Sequence, residues 1–145
     1  MINASFRQIK ISDIRQFYHL RLEALEKYPS NFKASLAEEK NIINFLIKGV
    51  IGFFGNKNKV VCFGAFIDGK IVGTVALHQI KSAKLEHYCE IWGMYVKENY
   101  RNQALGKQLL EIAINHAEME LRCSFINLVV ESNNIPAKNL YETYG

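Results

Sequence analysis

The sequence predicts a single domain of the α/β (α+β) class, in which helices pack against a mixed β-sheet. Segments with strand-like alternation are interspersed with segments whose apolar residues recur at helical spacing. The 145 residues are enough for one domain with a sizeable core, and no linker, repeat or shift in composition divides them. Hydrophobic residues make up 49% of the chain and charged residues 22%, which is ordinary for a globular protein.

The first part of the chain predicts one strand and two helices. Residues 6–11 alternate between apolar and polar, as a half-buried strand does. Ser12 and Asp13 can cap the helix that follows, which ends before Tyr28-Pro29 because proline disfavours a helical conformation in the residue before it. A second helix is predicted over 36–48.

The middle of the chain predicts a β-hairpin and a further strand. Two apolar segments, 60–67 and 70–79, flank Asp68-Gly69, a pair preferred in two-residue hairpin turns. The further strand covers about 87–96 and leads into a polar loop.

The last third predicts helix, strand and helix. The first helix presents an apolar face of Leu105, Leu109, Ile112, Ala113 and Ala117. Residues 124–130 are apolar enough for a central strand. A final helix over 134–144 has Pro136 in its first turn, where proline is tolerated.

The loop between the strand at 87–96 and the next helix predicts a phosphate site. Ala104 and Gly106 keep side chains small where the helix begins, and Arg101 and Lys107 add positive charge. The first N–H groups of a helix lack intrahelical partners and lie at the positive end of its dipole, so they bind anions well. Small residues at such a turn also occur where only close packing is needed.

Charge and residue usage exclude several other classes of site and partner. The net charge of +4 suits an anionic cofactor but is too small and scattered for nucleic acid. No apolar run approaches the roughly 20 residues of a membrane span, and the N-terminus lacks a signal-like apolar stretch. No metal-ligand spacing occurs, so we expect no metal site. Cys62, Cys89 and Cys123 are expected to be free thiols in a reducing cytoplasm.

Two segments match motifs of one known family. Residues 101–106 spell Arg-Asn-Gln-Ala-Leu-Gly, and residues 134–145 place Asn, Ala, Leu, Tyr and Gly at positions 134, 137, 140, 141 and 145. They resemble the pyrophosphate motif Gln/Arg-x-x-Gly-x-Gly/Ala and the motif Asn-x-x-Ala-x-x-Leu-Tyr-x-x-x-Gly of the GNAT superfamily of acyl-CoA-dependent N-acyltransferases. The segments 20–25 and 28–32 resemble the acceptor-side helix and loop of many bacterial members. Ala104 departs from the first glycine, and its methyl group is expected to be tolerated if the backbone there is helical.

The resemblance implies a three-layer fold and a way of binding acetyl-CoA as cosubstrate. The central sheet would be mixed and mostly antiparallel, with a splayed parallel strand pair and flanking helices. Backbone groups of Met94, Tyr95 and Val96 would pair with the pantetheine arm or hold the thioester carbonyl. Loop residues would hold the pyrophosphate, namely Arg101, Asn102, Gln103, Ala104, Leu105, Gly106 and Lys107. Asn134 would bond the pantetheine arm, cap the last helix, or do both. The splay needs a bulge, which the sequence does not locate.

The resemblance also implies two catalytic residues. Tyr141 would donate a proton to the departing thiolate, because a phenol of pKa near ~10 can protonate such a group. Helical spacing alone favours a core residue at 141, and the motif match reverses that preference. Glu90, six residues before Val96, would be the base that deprotonates the amine. The alternatives are an ordinary strand glutamate and a base formed by ordered water, with His87 and Glu86 as poorer candidates for the base.

The predicted function is transfer of an acetyl group to the primary amine of a small molecule or a peptide, in the cytoplasm. Aromatic residues at 28–32, 45 and 53–54 would line the acceptor pocket or simply pack. Family members continue beyond the position of Gly145 with two strands, so we expect a truncated domain over 1–145, with a homodimer that covers the open edge as the other possibility. A non-catalytic acyl-CoA-binding module is the alternative function. A dinucleotide-binding domain is disfavoured because Gly-x-Gly-x-x-Gly is absent from the sequence.

Overall fold

The computed structural model describes residues 3–27, 60–80, 88–123 and 125–128. Within these ranges the chain forms five strands and two α-helices. They are β1 (Ser5–Gln8), α1 (Ile14–Lys27), β2 (Val60–Ile67), β3 (Lys70–Ile80), β4 (Tyr88–Val96), α2 (Leu105–Met119) and β5 (Phe125–Leu128). Short 3₁₀ helices precede α1 at Ile11–Asp13 and follow β4 at Glu98–Tyr100. The helices predicted over 36–48 and 134–144 lie outside the described residues.

The strands form one mixed sheet in the order β1-β2-β3-β4-β5. The first three pairs are antiparallel, and β4 pairs with β5 in parallel. The β2–β3 hairpin turns at Asp68 and Gly69, which have φ of 51° and 76° as the predicted tight turn requires. Parallel pairing of β4 with β5 runs from Tyr88↔Phe125 to Ile91↔Leu128. The predicted splay would fall beyond Leu128, outside the described residues.

A helix covers each face of the sheet. The α2 face carries the larger core, in which Val75, Leu77, Cys89, Leu109, Leu110 and Ala113 are fully buried. The other face packs against α1 through a second cluster that includes Phe17, Leu20, Ala24, Cys62, Ala76 and Tyr95. The sheet between two helical layers matches the predicted three-layer arrangement.

The start of α1 differs from the prediction. The first strand ends at Gln8 and not at residue 11, and Ser12 and Asp13 lie inside the 3₁₀ helix. The carboxylate of Asp13 accepts hydrogen bonds from the Lys10 amide at 2.8 Å and from the Arg7 guanidinium at 2.7 and 2.9 Å. Asp13 therefore bends the chain out of β1, because these bonds draw Lys10 and Arg7 back towards the turn.

The expectation of three free thiols is wrong for two of them. Cys89 in β4 and Cys123 before β5 form a disulfide, with Cα atoms 6.2 Å apart. They meet because β4 and β5 are parallel neighbours and both side chains belong to the core on the α2 face. Cys62 is a free buried thiol, as predicted, and burial raises its pKa to about 12.

Candidate active site

The loop after β4 is held tightly to the sheet. The Lys97 amide donates to the Val72 carbonyl at 2.9 Å, and the 3₁₀ helix then closes with the Tyr100 amide donating to the Lys97 carbonyl at 2.9 Å. Arg101 returns to extended backbone, with φ of −75° and ψ of 166°. The chain is thus directed from the end of β4 into the start of α2.

Two residues before α2 adopt left-handed backbone. Asn102 has φ of 62° and Ala104 has φ of 64° and ψ of 15°, with Gln103 between them outside the positive-φ region. Alternation of this kind turns successive N–H groups towards one concave side, as in anion-binding nests. The Ala104 methyl group was expected to be tolerated if the backbone there is helical. The backbone is helical, but left-handed. A side chain there is disfavoured, which explains the preference for glycine in the motif.

The first amides of α2 are not capped by a side chain in the part of the chain that the structure describes. The first intrahelical bond runs from the Gln108 amide to the Ala104 carbonyl at 3.0 Å. The amides of Leu105, Gly106 and Lys107 precede it, and the Lys107 side chain is exposed beside them. This helix start has both features of an anion site, namely N–H groups without an intrahelical partner and the positive end of the helix dipole.

Arg101 links the loop to the end of β4. Its Nε donates to the Val96 carbonyl at 2.8 Å, and its guanidinium carbon lies 5.5 Å from the centre of the Tyr95 ring. The Tyr95 hydroxyl donates to Glu23 Oε2 of α1 at 2.7 Å, and Lys97 Nζ lies 4.0 Å from Glu23 Oε1. The end of β4 is therefore fixed to both α1 and the loop.

A bulge interrupts β4 just before this end. Thr74 pairs with Tyr95 and Ala76 pairs with Trp92, so two residues, Gly93 and Met94, oppose Val75 alone. Gly93 has φ of 65°, which is typical of a bulge that begins with glycine. The Thr74 hydroxyl donates to the Gly93 carbonyl at 3.2 Å. A bulge leaves the extra residue outside the regular ladder, so the backbone groups here do not follow the pairing pattern of the rest of β4.

Glu90 lies half-buried on β4, four residues before Met94. Its neighbours Cys89 and Ile91 belong to the α2-face core, so strand alternation places Glu90 on the α1 face. Directly opposite it are His78 of β3 and Asn127 of β5. Sequence reasoning assigned His78 no role, because only the strand register brings His78 and Glu90 together.

The predicted site residues are thus partly assembled. Those of β4 and the loop, from Met94 to Val96 and from Arg101 to Lys107, meet at one end of β4, and Glu90 precedes them on the same strand. Tyr141, Asn134 and the aromatic residues predicted to line the acceptor pocket lie outside the described residues. Sequence reasoning missed Gly93 and Thr74, and the isolated glycine within a strand pattern was the signal that pointed to a bulge.

The described ranges contain no group of three or more His, Cys, Asp or Glu residues that could hold a metal ion. Of the helices within those ranges, none has the length and apolar character to cross a membrane.

A family model described as "Acetyltransferase (GNAT) family" matches residues 15–145. Among curated proteins, the chain is 33% identical over 86 residues to streptothricin acetyltransferase of Escherichia coli. The matched segment covers 58% of this chain but only 45% of that protein. The chain is also 25% identical over 137 residues to N-alpha-acetyltransferase 30 of Dictyostelium discoideum. This match covers 94% of this chain and 70% of that protein.

The fold is also similar to that of solved structures. A predicted acetyltransferase from Clostridium acetobutylicum, solved with acetyl-CoA, superposes with a TM-score of 0.69 over 99% of this chain and 89% of that one. The identity is 19%, so this likeness concerns the fold.

Proposed function

Because the chain belongs to the acetyltransferase (GNAT) family, and so to a family of acetyl-transferring enzymes, we propose that it transfers an acetyl group from acetyl-CoA to a primary amine. The amine attacks the thioester directly while both substrates are bound. The observation that carries the proposal is the uncapped start of α2, preceded by two left-handed residues and placed beside a bulge in β4.

The diphosphate of acetyl-CoA would bind at this helix start. The amides of Leu105, Gly106 and Lys107 lie in the first turn of α2, and the left-handed backbone at Asn102 and Ala104 would turn the preceding amides towards the same anion. Arg101, Gln103 and Lys107 would complete the binding set, the first and last by charge. The pantetheine arm would continue along β4 at Met94, Tyr95 and Val96, and Asn134 would form a hydrogen bond with it.

The bulge would hold the reacting carbonyl. As the amine attacks, negative charge grows on the thioester oxygen, and a backbone N–H outside the ladder at Gly93 and Met94 would stabilise it. Glu90, on the same strand, would accept the proton of the amine, directly or through water. Tyr141 would return a proton to the leaving thiolate of coenzyme A.

The acceptor would be a small-molecule amine or a peptide amine. The named relatives support both, since one is a streptothricin acetyltransferase and the other an N-alpha-acetyltransferase. The first of them is spanned for less than half its length, so its substrate is not transferred to this chain. We place the protein in the cytoplasm as part of the same proposal.

Calorimetry tests the cofactor site. Coenzyme A should release heat on binding, and Lys107→Gln should weaken its affinity roughly 3- to 10-fold, the loss of one exposed charge contact of about 1 kcal/mol. Lys70→Gln is the matched control, because Lys70 is equally exposed but lies at the hairpin turn. Acetyl-pantetheine, which lacks the diphosphate, should bind both variants alike. A wild-type protein that gives no heat with coenzyme A contradicts the proposal.

A thiol-release assay against a panel of amines and peptides tests turnover. Tyr141→Phe and Glu90→Gln should each lower kcat about 10²-fold or more, in the range of a lost acid or base, while affinity for coenzyme A stays unchanged. Glu118→Gln, exposed on α2, is the control. The alternative, a non-catalytic acyl-CoA-binding module, is favoured by the strained Ala104 at the motif. It predicts binding without turnover for every acceptor.

A further inference from the structure

One charged side chain of α1 is buried against the sheet. Arg21 is 8% exposed and lies among the apolar residues that α1 turns towards the sheet. Arginine is almost never buried unless its charge is matched, because removal of the guanidinium from water is costly. The position therefore calls for an explanation beyond core packing.

The guanidinium of Arg21 lies against the bulge of β4. A Cβ atom placed on Gly93 would be 3.3 Å from Arg21 Nη1 and 3.7 Å from the Cβ of Ala76. Arg21 also acts electrostatically on the thiol of Cys62, which pairs through its backbone with Ala76 on the neighbouring strand. The guanidinium thus covers the sheet on the side opposite α2, at the residue where the strand departs from its ladder.

Thr74 of β3 also contacts Gly93. Its hydroxyl donates to the Gly93 carbonyl at 3.2 Å, and Thr74 is only 3% exposed. Two buried polar side chains from two different elements therefore converge on Gly93, whose φ of 65° is a conformation other residues avoid. If the bulge were lost, the alternation of β4 would shift by one residue, and Met94, Tyr95 and Val96 would exchange faces.

From this arrangement we propose that Arg21 is a positioning residue for acetyl transfer, which together with Thr74 holds the Gly93–Met94 bulge in the conformation that receives the thioester carbonyl. The inference rests on the proposed function for its catalytic consequence. A guanidinium is suited to the task because its five donors, held in one plane, can bond several acceptors at once, which the ammonium group of lysine does less well.

The test compares Arg21→Met, Arg21→Lys and Thr74→Val with Arg15→Gln, an exposed arginine of the same helix. Arg21→Met is expected to lower kcat at least 10-fold, while the dissociation constant for coenzyme A should rise by a smaller factor, because the diphosphate stays bound at the loop and only the pantetheine contacts of β4 are disturbed. Arg21→Lys should recover part of the loss, and Thr74→Val should show a smaller loss in kcat, about 3-fold. Arg15→Gln should match the wild type.

An independent readout is the backbone amide resonances of Gly93 and Met94. They should move in Arg21→Met and Thr74→Val and stay in place in Arg15→Gln. A folded Arg21→Met with wild-type kcat and unmoved resonances overturns the inference, as does a loss of kcat that only follows the unfolded fraction. If Arg21→Met does not fold, wild-type kcat in both Arg21→Lys and Thr74→Val overturns it.

The two proposals fail separately. A wild-type protein without coenzyme A binding or turnover overturns the proposed function and the catalytic role of Arg21 together, and the resonances still decide whether Arg21 holds the bulge. A wild-type protein that is active, with an equally active Arg21→Met, overturns only the inference about Arg21.

Discussion

At the scale of single residues, Ala104 is where sequence and backbone disagree. Its left-handed conformation puts Cβ close to the following carbonyl oxygen, which costs a non-glycine residue about 1 kcal/mol or more. Asn102, with φ of 62°, has the same conformation but a side chain that tolerates it. The motif predicted a special position at 104 but not the handedness of its backbone. Only the dihedral angles distinguish a right-handed helix start from a left-handed cap.

Replacement of Ala104 by glycine should therefore stabilise the protein. Relief of the left-handed strain is expected to raise the free energy of unfolding by about 1 kcal/mol and the melting temperature by roughly 3 °C. Thermal unfolding followed by circular dichroism measures it. Asn102→Gly is the matched control and should gain less. An equal or larger gain at position 102, or a loss at 104, would show that strain at Ala104 is not the cause.

At the scale of elements, the entry into α1 depends on one carboxylate. The Arg7 guanidinium, hydrogen-bonded to Asp13, holds the pKa of that carboxyl below its ordinary value of 3.8, and the Lys10 amide acts in the same direction. Asp13 is 5% exposed, so its bonds are shielded from water. Since the folded protein prefers the ionised form, Asp13 contributes stability above pH 3.8, and this contribution is lost as the pH falls through the lowered pKa.

Asp13→Asn should thus destabilise the protein at pH 7 by about 1.5 kcal/mol, the usual worth of a hydrogen bond to a charged group. The difference from the wild type should shrink as the pH falls below 3.8, where the wild-type carboxyl also becomes neutral. Urea titrations across the pH range measure it. Asp68→Asn is the control, because Asn-Gly keeps the hairpin turn. A deficit that stays constant to low pH would mean that the charge of Asp13 is not responsible.

The elements themselves were predictable to different degrees. The β2–β3 hairpin and α2 follow from local rules. Asp68-Gly69 specifies its own turn, and the apolar residues of α2 recur at helical spacing along its whole length. The end of β1 does not follow from a local rule, because an apolar Ile9 is compatible with both a strand and a turn. The hydrogen bonds of Asp13 to Arg7 and Lys10 determine where the strand ends. The isolated Gly93 is a local sign of a bulge, but the residue of β3 that faces the bulge follows only from the strand pairing.

At the scale of the whole molecule, sequence alone could group the candidate site residues only where they are continuous in the chain. Residues 94–96 and 101–107 follow one another, so a motif identifies them together. Arg21, Thr74 and His78 come to β4 from α1 and β3, and only the packing of those elements assigns them a place. The Cys89–Cys123 disulfide has the same origin, because a parallel strand pair brings together residues 34 positions apart.

That disulfide ties β4, the strand that carries the bulge, to the residue two positions before β5. Closure of a loop of 34 residues should stabilise the folded state by about 3–4 kcal/mol, by restriction of the unfolded chain. A reducing agent should therefore shift urea unfolding of the wild type to lower denaturant. A Cys89→Ala/Cys123→Ala double variant is the control and should not respond to the agent. Of the three cysteines, only Cys62 should react with a thiol reagent when the unreduced protein is unfolded. Three reactive thiols, or a wild type indifferent to reduction, would mean that the strands are held by packing alone.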